Sequence, residues 1–444
     1  MTDLRSSADA LLRPWTRRTL QLAACWLAMT AGCGADSGEP ESGSLDQGEN
    51  LAKIELERKW VLKSDGLTEG AQTLHVEFSL PSQYKSARIG IGDGERETVA
   101  RGSDGRFVAE VPVAELPPGE HRVVVQSKSS SKTLGSATFN VSSALYVVVS
   151  TDWDNTRMSD AYLARMEMLR ANHPGLRVTQ FFAPYHYTDP QVTTSRKQEI
   201  DTWIKQQRDE FGDEIGVHIH GWCHFVDTAG VPCKTAESFY KDDGSGYTTI
   251  LAAYSEADMT SILEASLAVY EENGLGRPTS FRAGGWTADV KVLRALAATG
   301  FTVDTSAVPA DTWLASWKDY DLYSWTTTHW NGITETSQPY FPLEANPAEA
   351  DPQRALPILE VPDNGVLVDY VTGADMTMIY DLNHDGGTLE VPTLYQVGWH
   401  PPNFSGEYLD RMEQALDHVD EHLYESDLGP AVYVNISELT RVWR

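Results

Sequence analysis

Between residue 52 and about residue 143, apolar and polar positions alternate with period two. Leu74-His75-Val76-Glu77-Phe78 is the clearest run, and 87–92, 107–112 and 121–126 repeat it. Successive side chains of a strand point to opposite faces, so each run predicts a strand with one buried face. Asp93-Gly94, Asp104-Gly105 and Pro117-Pro118-Gly119 punctuate the runs as turns. Short alternating strands at this spacing predict a small immunoglobulin-like β-sandwich over 52–143. No catalytic constellation occurs there. The segment therefore reads first as a spacer and second as a glycan- or partner-binding module.

From residue 144 to 444 the pattern changes to strands alternating with helices. Strands are predicted near 145–151, 177–183, 214–220, 278–283, 301–304, 357–361, 394–399 and 431–435. Tyr162, Met166 and Leu169 give helical spacing between the first two. Tyr408, Met412, Ala415, Leu416, Val419 and Leu423 form a longer stripe before the last. Repeated β–α units predict an α/β fold, a parallel sheet with helices outside, open or closed into a barrel. Reactive groups in such folds collect at the C-terminal strand ends. Residues 308–356, rich in proline and tryptophan with little periodicity, read as a capping insertion.

Chemistry-bearing residues stand at those strand ends. The buried-type run Tyr146–Thr151 ends in Asp152-Trp153-Asp154, two carboxylates in i, i+2 spacing. One of them can hold a metal while the other takes a proton from water. Glu214-Ile215-Gly216-Val217 leads into His218, His220 and His224. His218 and His220 share a strand face, and His220 and His224 converge if the chain there is helical. Imidazole is the commonest protein ligand for zinc. Arg282 and His400 also fall at predicted strand ends, and Asp304, after another strand, is placed to orient Arg282.

In this order the residues resemble the NodB-like polysaccharide deacetylases, carbohydrate esterase family four, over about residues 145–444. That family has an acidic pair ending its first strand, a paired-histidine motif, an arginine motif and a late histidine. Asp152-Trp153-Asp154, His220-Gly221-Trp222-Cys223-His224, Arg282-Ala283-Gly284-Gly285-Trp286 and Val397-Gly398-Trp399-His400-Pro401 match these in turn. The adjacent aspartates and following glycine of the commonest first motif are absent, as is the usual proline after the arginine. The Glu214-Ile215-Gly216 preamble points to His218 as first ligand, with Trp222 in place of its partner. Sliding by two residues restores a pair, His220 and His224, and that register is preferred. His218 is then a third ligand or a hydrogen-bond partner of one.

The resemblance implies an irregular (β/α)7-type barrel and a metal-dependent hydrolase. It would remove acetyl groups from an acetylated polysaccharide of the cell envelope or the extracellular space. It implies a divalent metal, zinc first, on Asp154 with two of His218, His220 and His224. Asp152 would be the base, Arg282 would hold it ionised, and His400 would be the acid. Trp222, Trp286 and Trp399 stand beside the motifs and could stack on sugar. The alternatives are a non-catalytic surface carbohydrate-binding protein, or a metal hydrolase of small amides or O-acetyl esters.

The rest of the chain bears on location. Residues 1–33 read as a signal peptide: Arg13, Arg17 and Arg18, then a short apolar run over 19–29, and Thr30-Ala31-Gly32-Cys33 as a lipobox. Residues 34–51 are acidic and Gly/Ser-rich, a disordered tether. Gly34 after the lipid cysteine favours an outer-membrane or surface lipoprotein, with a periplasmic or secreted protein as the other reading. The N-terminal lipid would be the only membrane attachment. A formal net charge of -29 argues against nucleic acid as a partner. Of four cysteines, Cys223 and Cys233 lie outside the leader. An even pair in an oxidising compartment predicts one disulfide, worth roughly 2–3 kcal/mol. The rival reading makes Cys223 a metal thiolate.

Overall fold

The computed structural model describes residues 51–240, 243–310 and 321–444. The expected leader over 1–33, with Cys33, and all but the last residue of the tether over 34–51 lie outside the described residues.

The alternating runs form two sheets. Their strands are β1 (Lys53–Leu56), β2 (Trp60–Leu62), β3 (Thr73–Ser79), β4 (Ser86–Ile91), β5 (Arg96–Ala100), β6 (Phe107–Pro112), β7 (Gly119–Ser127) and β8 (Thr133–Ser142). One sheet has the order β1-β3-β6 and the other β2-β8-β7-β4-β5. The inward residues of both, among them Val76, Phe78, Phe107, Ile89, Val125 and Phe139, share one core. This is a two-layer β-sandwich. The sandwich leans on the rest of the chain through the segment around β2. The Lys59 and Trp60 N–H groups both donate to the Asp427 carboxylate, at 2.8 and 2.9 Å. Tyr146 Oη donates to Asp65 Oδ2 at 2.7 Å.

The second region is built on β9 (Leu145–Asp152), β10 (Val178–Phe182), β11 (Glu214–Ile219), β12 (Ser280–Ala283), β13 (Val303–Asp304), β14 (Pro342–Leu343), β15 (Asn346–Ala350), β16 (Leu359–Glu360), β17 (Thr393–Trp399) and β18 (Ala431–Tyr433). All but the β14–β15 hairpin join one parallel sheet of order β16-β13-β12-β11-β10-β9-β17, and β18 also pairs with β9. A strand has two edges; β17 takes one edge of β9, and β18 and β10 share the other, at its start and its end. β9 is therefore buried throughout, which its unbroken apolar run anticipates. The sheet curls into a half-barrel with helices outside. Between β16 and β17 the strand pairing is replaced by the segment 364–368, whose Gly365 and Val368 N–H groups donate to the Gln396 and Gly398 carbonyls.

The helices follow their apolar stripes. Thr194–Phe211 buries Ile200, Trp203 and Ile204, and Gly406–Asp420 buries Leu409, Met412, Ala415, Leu416 and Val419. Ser405 caps the latter by accepting the Tyr408 N–H. The described part of the capping insertion is more regular than its composition suggests: it contains the helix Asp321–His329 and the β14–β15 hairpin. Among the described residues no helix is long and apolar enough to cross a membrane.

Asp304 and Glu360 are register partners on β13 and β16, both fully buried. Ser306 Oγ donates to Asp304 Oδ1 and the Ala307 N–H to Glu360 Oε1, at 2.9 and 2.8 Å. Burial pushes Asp304 up to about 6. Burial and then Asp304 push Glu360 well above the carboxylate range. Carboxyls raised on folding stabilise the fold fully below their unfolded pKa, near about 4. That contribution is lost as pH rises through the folded values. Glu360→Gln puts a permanent amide donor where the acid needs its proton. The variant should be more stable than wild type at about pH 8, and its stability should vary less between about pH 5 and 8. Thermal unfolding across that range checks it; profiles that stay parallel would rule out titration of this buried pair as a stability term.

Candidate metal centre and its acid–base partners

Strand alternation builds the site. Asp152 and Asp154 line one cavity at the end of β9. Trp153 between them turns away into the core, against Phe182 and Trp203. Gln180 Oε1 fixes this by accepting from Thr151 Oγ1 and Trp153 Nε1, at 2.9 and 3.0 Å. On β11 and just past it, His218 and His220 face the same cavity, while Val217 and Ile219 point to core. Gly284, after β12, makes room for them: a Cβ there would stand 2.6 Å from the His220 ring. No larger residue fits without moving that imidazole.

Asp154 Oδ1 lies 3.2 Å from both His218 Nε2 and His220 Nε2. The opposite ring nitrogens meet backbone carbonyls. His218 Nδ1 is 3.0 Å from Arg282 O, and His220 Nδ1 is 2.8 Å from Tyr247 O. A carbonyl only accepts, so each Nδ1 carries the proton and each Nε2 of a neutral ring keeps a lone pair. Three lone-pair donors then face one another with no proton between them, an arrangement that suits a cation. Zinc bonds of about 2.0–2.1 Å in a tetrahedron give ligand–ligand edges of about 3.3 Å, close to the spacing here. Burial works against the charge on Asp154, but the positive charge of the nearby His400 helps to hold the carboxyl well below its usual range.

His173, Glu413 and Asp417 also come close enough to hold an ion. They need none. His173 Nδ1 is 2.8 Å from Asp420 and its Nε2 3.0 Å from Glu413, the pattern of an imidazolium donating twice. Burial lowers its pKa, and Asp420 and Glu413 together raise it above the usual value.

His224 does not join the centre, and the preferred pairing of His220 with His224 is not formed. β11 ends at Ile219, the chain turns at Gly221, and a helical turn begins only at Cys223. The i, i+4 convergence requires one continuous helix, which these two residues do not share. His224 is half-buried with Nδ1 2.9 Å from Thr188 Oγ1. The thiolate reading of Cys223 is corrected as well, because Cys223 and Cys233 form a disulfide.

Arg282 is fully buried on β12. Its Nη1 donates to Asp152 Oδ1 at 2.9 Å, its Nε to the Thr305 carbonyl, and its Nη2 is 3.6 Å from Asp363 Oδ1. Asp363, not Asp304, is thus the second carboxylate beside Arg282; Asp304 is engaged with Glu360 and Ser306. Burial pushes Asp363 up to about 6, against the pull of Arg282. His400 Nδ1 is 2.8 Å from Asp369 Oδ2, and its Nε2 turns toward the centre, 3.9 Å from Asp154 Oδ1. Burial lowers the His400 pKa, but Asp369 and then Asp154 lift it to about 10. His400 is therefore a proton donor at neutral pH.

Asp363, Asp369 and Tyr247 escaped the sequence reading. All three sit on irregular segments between elements, where no periodicity marks a facing side. The three tryptophans divide. Trp399 is core, stacked on Phe404. Trp286 lines the cavity but is buried, and its Nε1 donates to Asp363. Trp222 packs between Arg157 and Tyr247. The cavity over the centre measures about 120 Å³ and is rimmed by Phe239, Tyr240, Leu322 and Tyr370. A larger one, about 930 Å³, opens at the other ends of the strands, beside Leu67, Phe211 and Tyr433. It touches none of Asp152, Asp154, His218, His220 or His400.

No family model matches the chain, and no curated protein does. Among solved structures the chain is similar to polysaccharide deacetylases and family 4 carbohydrate esterases. A Mycobacterium smegmatis protein assigned as a polysaccharide deacetylase is 14% identical, with 67% of this chain and 90% of that one covered and a TM-score of 0.39. A family 4 carbohydrate esterase from Streptomyces lividans, in complex with acetate, is 11% identical over 68% and 97%, with a TM-score of 0.33. A family 4 acetyl xylan esterase from Clostridium thermocellum, with a cobalt ion, is 12% identical over 66% and 89%, also at 0.33. The likeness is distant in sequence and in superposition alike, so the reading of this chain stands on its own site.

Proposed function

We propose that the chain is a divergent NodB-like deacetylase, a metal-dependent hydrolase that releases acetyl groups from a cell-envelope or extracellular polysaccharide. The observation that carries this is the facing of Asp154, His218 and His220 lone pairs beside a buried Asp152–Arg282 pair and the His400–Asp369 pair. These residues supply one cation site, one base and one acid around a single cavity.

A divalent cation held there would lower the pKa of a water molecule and polarise the acyl carbonyl. Asp152 would accept the proton of the attacking water. Arg282 occupies its Oδ1, and no hydrogen bond reaches its Oδ2 among the described residues, which leaves that oxygen for the task. His400, oriented through Nδ1 by Asp369, presents Nε2–H to the leaving nitrogen or oxygen. Burial of Asp152, Asp154 and His220 excludes bulk water and strengthens each of these interactions.

The cavity volume favours a second reading of the substrate. Pockets for whole ligands usually measure about 300–1,000 Å³, and 120 Å³ holds little more than an acyl group. A small amide or ester, or a glycan end, fits that space without movement of the rim. Acetate release by zinc- and cobalt-loaded protein, from N- and O-acetylated oligosaccharides and from small acetamides, tests both. Turnover of oligosaccharides supports the polymer reading and turnover of small acetamides alone the second. No acetate from any substrate removes the hydrolase.

A further inference from the structure

We propose that Tyr247 is a positioning residue that sets two ligands of the metal centre at once. The inference rests on Asp154, His218 and His220 forming that centre.

Tyr247 Oη donates to Asp154 Oδ2 at 2.6 Å. The carbonyl of the same residue accepts from His220 Nδ1 at 2.8 Å. Its ring also stacks on the His220 imidazole, with centroids 4.3 Å apart and planes 28° from parallel. With Oδ2 accepting from the phenol, Asp154 is held with Oδ1 turned to the two histidines. With Nδ1 held by the carbonyl, His220 offers only Nε2. One residue thus selects the atom that each ligand presents. Outer partners of this kind fix ring tautomer and ligand orientation.

The turn that carries Tyr247 is built to hold still. Asp243 accepts the Ser245 N–H through Oδ1 and the Thr248 N–H through Oδ2, both at 2.9 Å. Gly246 adopts φ +83°, and a Cβ there would also meet the Gly221 carbonyl and the Cys223 nitrogen. The turn therefore lies directly on the loop that leaves His220. The Cys223 N–H donates to Ser245 O at 2.9 Å, and the Cys223–Cys233 disulfide braces that donor. The bracing of the histidine loop is thereby passed to Tyr247.

Tyr247→Phe deletes the hydroxyl and keeps the carbonyl and the ring stack. Zinc affinity, measured by competition with a chromophoric chelator, should fall about 10–100-fold. The visible absorption of the cobalt-loaded protein should shift, because Asp154 is freed to offer its second oxygen. Tyr185→Phe is the control. Its hydroxyl donates to the Trp153 carbonyl beside the site but touches no ligand, so both readouts should match wild type. Wild-type zinc affinity and cobalt spectrum in Tyr247→Phe would overturn the role of Tyr247 and leave the centre standing. Equal losses in both variants would also overturn it, since packing alone would then explain them. Wild-type protein that binds neither zinc nor cobalt would overturn the centre and this inference together.

Discussion

Replacing His218 by alanine is expected to strip zinc from the protein and abolish acetate release, while His224→Ala keeps both. The two histidines differ in what their free nitrogens face. His218 Nε2 is 3.2 Å from Asp154 Oδ1, whereas His224 bonds Thr188 and lies outside the trio. Removing one of three ligands should cost more than the roughly 10–100-fold in affinity lost with an outer partner. His220→Ala should behave as His218→Ala does. Zinc stoichiometry after dialysis, with thermal unfolding of the metal-free proteins to show that each is folded, decides the matter. Zinc lost from His224→Ala and kept by His218→Ala would reverse the assignment.

What the sequence made legible followed from period two. The run Leu145–Val149 could only be a strand buried on both sides, and the alternation that carries Trp153 into core puts Asp152 and Asp154 on one face. The same alternation pairs His218 with His220. His224 stands apart because its i, i+4 spacing from His220 spans a strand end, where the chain changes direction at Gly221. β5 (RETVA) and β8 (TLGSATFNVS) were missed because charge, glycine and serine interrupt their alternation, and neighbouring strands rather than pattern hold them. Asp363, Asp369 and Tyr247 depend on where loops return. That is set by long-range pairing such as segment 364–368 on β17, which no local window contains. Asp304 shows the same limit from the other side. Its strand was anticipated, but its partner Glu360 came from the order of β13 and β16 in the sheet.

Asp152→Asn should keep its zinc and lose deacetylase activity by about 10²–10⁴-fold, the usual contribution of a positioned acid–base group. The amide oxygen can still accept from Arg282, so side-chain placement is preserved while basicity is removed. Arg282 also keeps Asp363 at 3.6 Å as a second carboxylate, which limits the cost of leaving a buried guanidinium beside a neutral group. His400→Ala should lose activity to a similar extent, and less on substrates with good leaving groups, which need little protonation. Acetate release by zinc-loaded wild type and both variants, on an amide and on an activated ester, separates the two roles. A base is needed for either substrate, so Asp152→Asn should fail on both, while His400→Ala should recover part of its rate on the ester. Undiminished release by Asp152→Asn would remove the base. Loss of zinc from the same variant would move Asp152 from the proton-accepting role into the cation's ligand set.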